Sequence, residues 1–280
     1  SSPNGLGTLD VVFTAQRVGA TTNIAWYGWD FNNDGLWEQE GSGAGVVTNT
    51  FGPGFYTVTL RATNTNGEGA VIIKSDCIQV GPTVAYVWSG GAGVSPFTNW
   101  TMAATNPLDV ISLAVDGTEI IVTNGSYGLT NTLALTRAVT VRSTCGAGSA
   151  ALYRATAAAM PVIYMTSPGA VVDGFTISNG YVLAFSGGGV NMTAGTVRRC
   201  VIDRNNAPNN LSGGGVCMTD GLVEDCLIAT NSAWIHGGGA YVAGGEIRRC
   251  ILTGNISGAN PAYHGGGLCL VGGVARSCLV

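Results

Sequence analysis

The N-terminal part of the chain has apolar residues at the two-residue period of half-buried β-strands. Leu9, Val11 and Phe13 fall on one face of such a strand, and the aliphatic residues of 56–62 follow the same rule. Clusters of turn residues separate these segments, as at residues 32–35 and 52–54. The pattern predicts short antiparallel strands packed as a small β-sandwich over about residues 1–81.

The C-terminal part repeats a different pattern every 24 to 28 residues. A triple glycine occurs four times, and a cysteine always stands thirteen residues after its first glycine. An aliphatic residue or alanine stands three positions before each cysteine, and an aliphatic residue two positions after it. Fixed columns of this kind predict stacked coils, each burying its apolar face against the next. The triplets begin at Gly187, Gly213, Gly237 and Gly265, and the cysteines are Cys200, Cys226, Cys250 and Cys278.

Two polar columns follow the same repeat. Asn205, Asn231 and Asn255 predict a ladder of side-chain amides that hydrogen-bond from coil to coil. Just before the cysteines, charged residues alternate in sign along the stack, which favours pairing in one register. We therefore interpret these carboxylates as residues that fix the register of the coils, and we predict no catalytic residue among them. The alternating residues are Asp173, Arg198, Glu224 and Arg248, with Arg199, Asp225 and Arg249 beside them.

Residues 82–115 join the two parts. Glycine and small residues at 82–94 predict a linker, and residues 103–115 are loosely periodic like a short helix. A solenoid requires a cap because its first coil would otherwise expose an apolar end. Since Val280 falls inside a repeat, we expect a longer native protein or a partner that completes the last coil.

Three N-terminal segments occur in a familiar order: Tyr27–Gly35, Thr48–Phe51 and Tyr56–Leu60. Together they resemble a polycystic-kidney-disease-type (PKD) domain, an immunoglobulin-like module of cell-surface and secreted proteins. The resemblance covers about residues 1–81. It implies a spacer or a binding accessory rather than an enzyme.

Segments of the second part, Tyr86–Trp88, Pro96–Trp100, Asp116–Ile120 and Val139–Ser143, resemble the opening of bacterial pectate-lyase-like β-helix surface proteins. The resemblance implies a right-handed parallel β-helix and says little about activity. The predicted fold is therefore all-β. It consists of an immunoglobulin-like β-sandwich (1–81), a linker and cap with an N-terminal capping helix (82–115), and a right-handed parallel β-helix, or β-solenoid (116–280).

One loop of the first part carries candidate metal ligands. Asp30, Asn32 and Asp34, followed by a glycine, fit the start of an oxygen-rich calcium loop, with Glu38 as a further ligand. The bidentate glutamate expected at the twelfth position is absent, because Gly41 stands there. The alternative is that these side chains hydrogen-bond a turn after a strand. Calcium is the only cofactor that the sequence suggests.

Repeat lengths differ only between the asparagine column and the triple glycine, so all length variation lies on one edge of the solenoid. Such variation is typical of a binding face, although loops free of packing constraints vary in the same way. The aromatic and amide side chains there suit neutral sugars. The stretches contain no carboxylate and no Arg or Lys for acid–base chemistry or polyanion binding. The candidate binding residues are Tyr181, Phe185, Asn209, Asn210, Trp234, His236, Tyr263 and His264.

The composition excludes several classes of binding partner. Only 10% of residues are charged, the net charge is −4, and neither part has a basic patch, so nucleic acid and anionic membranes are poor candidates. No stretch approaches the roughly 18 apolar residues of a membrane span. Two histidines alone are too few for a zinc site. The stacked cysteines are either free buried thiols or neighbouring pairs that oxidise.

Two classes of function stay open. The first is a non-enzymatic, secreted or cell-surface protein with a structural or adhesive role. It would associate with itself head to tail into a filament, or bind cell-surface or matrix glycans through the variable edge. The alternative is a polysaccharide lyase or glycoside hydrolase, by analogy with other β-helices. A cluster of acidic and basic residues on one face would favour the enzyme.

Overall fold

The computed structural model describes residues 3–16, 23–258 and 265–280. The described chain is almost entirely β-structure, which confirms the predicted all-β class, and it divides into two compact units at residues 1–83 and 84–280. No helix in these residues has the length and hydropathy of a membrane span. The strands of the first unit are β1 (Asn4–Leu6), β2 (Leu9–Thr14), β3 (Ile24–Asp30), β4 (Gln39–Gly41), β5 (Val46–Phe51), β6 (Gly54–Asn64) and β7 (Gly69–Gly81).

Two sheets build the first unit. One has five strands in the order β1-β7-β6-β3-β4, and the other pairs β2 with β5. Aromatic rings from both sheets, those of Phe13, Trp29, Phe31 and Phe51, pack with centroids 5.1 to 6.1 Å apart. The indole N–H of Trp29 donates to the Ala44 carbonyl oxygen at 2.7 Å, which satisfies its polar atom inside this core.

The second unit is a parallel β-solenoid of about six coils. Each coil contributes a strand to each of three long sheets, which we call the first (β8-β9-β12-β15-β18-β22-β26-β30), second (β10-β13-β16-β19-β23-β27) and third (β11-β14-β17-β21-β25-β29) sheets. Its elements are β8 (Val84–Val87), α1 (Pro107–Ile111), β9 (Glu119–Val122), β10 (Gly125–Leu129), β11 (Leu133–Leu135), β12 (Thr140–Ser143), β13 (Ala150–Arg154), β14 (Ile163–Met165), β15 (Val171–Asp173), β16 (Thr176–Ser178), β17 (Val190–Met192), β18 (Thr196–Arg198), β19 (Val201–Asp203), β20 (Asn206–Ala207), β21 (Val216–Met218), β22 (Leu222–Glu224), β23 (Leu227–Ala229), β24 (Ser232–Ala233), β25 (Ala240–Val242), β26 (Glu246–Arg248), β27 (Ile251–Thr253), β28 (Ile256–Ser257), β29 (Leu268–Leu270) and β30 (Val274–Arg276).

The predicted apolar columns are confirmed as in-register pairs. Val197 lies opposite Val223 in the first sheet, and Ile202 lies opposite Ile228 in the second. Their side chains are fully buried in one continuous core. The third sheet adds a buried methionine column that the sequence pattern did not single out, formed by Met165, Met192 and Met218.

The triple glycines lie where the backbones of neighbouring segments approach closely. A Cβ on Gly214 would lie 2.1 Å from the Ser232 carbonyl oxygen, and a Cβ on Gly238 would lie 2.1 Å from that of Ile256. Side chains are therefore excluded where the third sheet begins. This explains why the triplet recurs in every coil that has a strand on the variable edge.

The asparagine ladder is confirmed. The Asn205 side-chain amide donates to Asn231 Oδ1 at 3.0 Å and to the Ile177 carbonyl oxygen at 3.0 Å. The Asn231 amide donates in the same way to Asn255 Oδ1, at 3.0 Å. Because Asn205 and Asn231 are buried, these bonds satisfy groups that would otherwise be costly to desolvate.

The cap combines one short helix with an added strand. Helix α1 starts at the N-cap Asn106, whose side chain accepts from the Leu108 N–H, and it buries Val110 in the solenoid core. Val84–Val87 was predicted as part of a linker, but its Ala85 and Val87 are fully buried and pair with the first coil. This segment therefore extends the first sheet by one strand.

Candidate functional site

The variable edge has a backbone framework of its own. Each variable segment after the asparagine column starts with a two-residue strand, and β20, β24 and β28 form a fourth parallel sheet. The variation in repeat length did not indicate these strands. Beneath the sheet, Val182, Ala207 and Ala233 form a small apolar cluster against which Leu211 packs. The base of the edge is thus ordered by both pairing and burial.

Large apolar side chains are exposed on this edge. Phe185 is 58% exposed, Trp234 51% and Tyr181 38%. The backbone N–H of Trp234 donates to the Ala207 carbonyl oxygen at 2.9 Å, which fixes the base of the indole. Leu183 and Ile256 are also exposed on this edge, and the sequence did not mark them because aliphatic residues are ordinary in a repeat with apolar columns. We call Tyr181, Leu183, Phe185, Trp234 and Ile256 the edge surface.

Tyr181 has a cationic neighbour. The Arg154 guanidinium lies 5.9 Å from the centroid of the Tyr181 ring, and its Nη1 donates to the Tyr181 carbonyl oxygen at 2.6 Å. The arrangement is a cation–π contact that holds the ring in place. Although the variable segments contain no Arg or Lys, an arginine from an earlier coil therefore borders the edge surface.

The remaining candidate residues have different surroundings. Asn209 and Asn210 are exposed and adopt left-handed backbone conformations, with φ of 59° and 61°. The His236 ring lies nearly parallel to the Tyr241 ring, with centroids 6.4 Å apart. Tyr263 and His264 lie outside the described residues. The structure thus places Tyr181, Phe185 and Trp234 on one edge with the two amides in its connecting loop.

Most carboxylates of the first sheet are held in ion pairs. A guanidinium nitrogen of Arg198 lies 2.9 Å from a carboxylate oxygen of Asp173. A carboxylate oxygen of Glu224 lies 2.8 Å from Arg248 and 2.6 Å from Arg249. The predicted alternation of sign is confirmed as these pairs. The hydrogen bond from Arg248 lowers the pKa of Glu224, which is therefore ionised at neutral pH. A carboxylate in that state is a poor general acid.

Asp203, in the second sheet, differs from these ion-paired carboxylates, and nothing in the sequence pattern marked it. Burial raises its pKa, against the opposing effect of Arg204, which lies 2.9 Å from one carboxylate oxygen. The other oxygen, Oδ1, is buried without a hydrogen-bond partner in the described structure. Its neighbours in the same column are Ser178 and Ala229, so this column offers one carboxyl group rather than a pair. Glycoside hydrolysis normally uses two.

The loop after β3 brings the predicted calcium ligands together. Oxygens of Asp30, Asp34 and Glu38 lie within 4.8 Å of one another. Asp30 Oδ1 accepts the N–H groups of Asn32 and Asp34, and Glu38 Oε2 accepts that of Phe31 at 2.8 Å. The Asn32 amide donates to Asp34 Oδ2 at 3.0 Å. These are the hydrogen bonds of a closed turn, and the carboxylate cluster is the chemistry that a hard cation prefers.

The first unit also contains an apolar cleft of about 490 Å³, which the sequence did not indicate. Val11 and Phe13 of β2 face Leu60 and Ile72 of the five-stranded sheet across it, and among the described residues of its lining Lys74 alone is charged. The cleft follows from the small size of the β2–β5 sheet, which covers only part of the larger one.

No protein-family model, curated protein or solved structure matches this chain.

Proposed function

We propose that the chain is a non-enzymatic, secreted or cell-surface protein of adhesive or structural type, whose edge surface binds a neutral glycan. The observation that supports this most is the exposure of Tyr181, Phe185 and Trp234 on one ordered edge. Aromatic rings pack against the apolar faces of sugar rings, and the nearby amides suit hydroxyl groups. The surface offers no carboxylate to carry out cleavage.

The edge surface takes its side chains from several coils, with Tyr181, Trp234 and Ile256 in three different ones, which suggests the form of the ligand. Ala207 and Ala233 are in-register partners, so the residues that follow them, Pro208 and Trp234, are one coil apart. A ligand lying along the solenoid axis would contact such positions in turn, about 4.8 Å per coil. An extended chain of neutral sugars has this repeating form.

The two family resemblances belong to the same proposal. A PKD-type module would act as a spacer or accessory in front of a pectate-lyase-like β-helix. Its Trp-Asp-Phe and Tyr-Thr-Val-Thr-Leu segments lie on neighbouring antiparallel strands, where Trp29 is opposite Leu60. That pairing supports the resemblance because both motifs then serve one core. Head-to-tail self-association is a separate proposal, which sedimentation velocity over a wide concentration range would test.

The glycan proposal is tested by an array of neutral and charged glycans followed by calorimetric titration of any hit. We expect Trp234→Ala to weaken binding at least tenfold, since a central exposed aromatic is worth about 1–2 kcal/mol or more in a binding site. Trp88→Ala is the matched control, because Trp88 is 42% exposed, similar to Trp234, but lies in the cap. Equal affinity in the two variants, or a preference for polyanions, would contradict the proposal.

A polysaccharide lyase or glycoside hydrolase is the second candidate, and the raised pKa of Asp203 is the observation that favours it. A reducing-end assay on each bound glycan separates the two. Cleavage that disappears in Asp203→Asn would replace the adhesive proposal by the enzymatic one. Binding without new reducing ends supports the adhesive proposal.

A further inference from the structure

Four cysteines occupy the same corner of four successive coils, between the first and second sheets. The register of their flanking residues places them in line, and we call Cys200, Cys226, Cys250 and Cys278 the cysteine column. The first three are buried and Cys278 is partly exposed. All are free thiols. In the preceding coil the fully buried Phe175 stands at this corner and closes the column at that end.

The sulfur atoms have repeating surroundings. The Cys200 thiol donates to the carbonyl oxygen of Arg198 at 3.2 Å, and the Cys226 thiol donates to that of Glu224 at 3.1 Å. From the coil before, the N–H of Phe175 donates to Cys200 Sγ at 3.4 Å. The N–H of Cys200 likewise donates to Cys226 Sγ at 3.5 Å. The side chains are therefore near-translational copies, and their sulfurs repeat at the strand spacing of about 4.8 Å.

That sulfur–sulfur spacing favours metal binding over disulfide formation. A disulfide needs the sulfurs about 2.05 Å apart and the Cβ atoms about 3.5–4.5 Å apart, so two parallel side chains would both have to tilt. Two metal–thiolate bonds of about 2.3 Å span about 4.6 Å and fit with little movement. Each neighbouring pair offers two sulfurs, whereas zinc requires four ligands. Thiolates select soft ions such as Cu(I).

We propose that the cysteine column binds soft monovalent metal ions of the Cu(I) type, each held between the sulfurs of two neighbouring coils. Two ions fill the column, one between Cys200 and Cys226 and one between Cys250 and Cys278. Each ion forms two metal–sulfur bonds and displaces two thiol protons, leaving a bis-thiolate complex with one negative charge and no change of oxidation state. The backbone N–H groups of Phe175 and Cys200, which donate to the sulfurs of Cys200 and Cys226, stabilise that charge.

The test is an anaerobic titration of the full chain with Cu(I) against a coloured Cu(I) chelator, which removes weakly bound ions. We expect two ions per chain, an X-ray absorption spectrum with two sulfur neighbours, and no comparable retention of Zn(II). Binding should strengthen as pH rises, because each ion replaces two protons. No Cu(I) held against the chelator, or oxygen and nitrogen ligands, would overturn the proposal.

Variants assign the site. Cys226→Ser and Cys226→Ala should each lower the stoichiometry from two ions to one, with circular dichroism confirming the fold. Cys278→Ser, at the partly exposed end, should have the same effect with less strain on the core. Cys217→Ser is the control: this thiol is not in the column, and burial raises its pKa to about 11. Unchanged stoichiometry in the column variants, or a loss in the control, would refute the assignment. These outcomes concern metal binding alone and leave the glycan proposal unaffected.

Discussion

At the scale of single residues, Asn231 joins three coils. Its amide donates to the Ile202 carbonyl oxygen at 2.8 Å and to Asn255 Oδ1, and its Oδ1 accepts the Asn205 backbone N–H at 3.0 Å. Asn231→Ala would leave buried donors and acceptors unpaired, at about 1–3 kcal/mol each. We expect the free energy of unfolding to fall by about 3 kcal/mol in urea titrations.

Asn206, on the fourth sheet, provides a control for the Asn231→Ala experiment. Asn206 is half-buried, and its Oδ1 accepts one hydrogen bond, from the Ser232 hydroxyl at 3.0 Å. Asn206→Ala should cost about 1 kcal/mol or less, because water can replace the lost partner. Equal losses in the two variants would show that the ladder adds nothing beyond an ordinary surface hydrogen bond.

At the scale of elements, the ion pairs of the first sheet give stability a pH dependence. The hydrogen bond from Arg248 lowers the pKa of Glu224 in the folded state. The stabilisation is therefore complete above the unfolded-state pKa of about 4.3 and is lost as pH falls through the folded-state pKa. We expect Glu224→Gln to reduce the free energy of unfolding by about 1 kcal/mol near neutral pH. The difference should shrink as the pH falls below about 4.3 and vanish once Glu224 is protonated in the folded state as well.

Denaturant titrations near neutral pH and in acid measure this difference in the free energy of unfolding. Glu246→Gln is the comparison, since its ion pairs with Arg276 and Arg248 are longer, at 3.3 and 3.9 Å. Its effect at neutral pH should be smaller. A Glu224→Gln effect that persists unchanged in acid would mean that side-chain packing, rather than charge, is responsible.

The loop after β3 allows two separate measurements. The buried Asp30 accepts three backbone N–H groups, including that of Gly35 at 2.9 Å, so Asp30→Ala should cost the first unit about 3 kcal/mol. Calcium binding stays a prediction. Calorimetric titration tests it, and any heat should disappear in Asp34→Ala if the carboxylates are ligands. A titration without heat leaves the loop as a turn alone.

Repetition decides how much of these elements the sequence could predict. The apolar columns, the Asn205–Asn255 ladder and the cysteine spacing recur in several successive coils, so their alignment was readable without a structure. The two-residue strands of the fourth sheet carry no periodic signal. The Arg154–Tyr181 contact and the buried oxygen of Asp203 each occur once and depend on which residues the coils bring together, so neither could be found from spacing.

At the scale of the whole molecule, the two units have separate cores. Phe51 is buried in the first and Ile202 in the second. Each substitution to alanine should cost about 2–5 kcal/mol. We expect differential scanning calorimetry to show two transitions, with Phe51→Ala lowering only one and Ile202→Ala only the other. Both variants shifting the same transition would mean that the units unfold as one.

The in-register stack also makes coil number a variable that duplication or deletion in the gene can change. Removing residues 213–236 would join Ser212 to Gly237, and the cysteine and asparagine columns would close up with residues of the same kind. Arg198 would then lie opposite Arg248 in the first sheet, so one of the two would have to become acidic to keep the alternation of charge. No core position would need redesign. The molecule would shorten by about 4.8 Å, the thickness of one coil. Evolution could therefore change the length of such a solenoid in steps of one coil, while the residues that stack the coils stay the same.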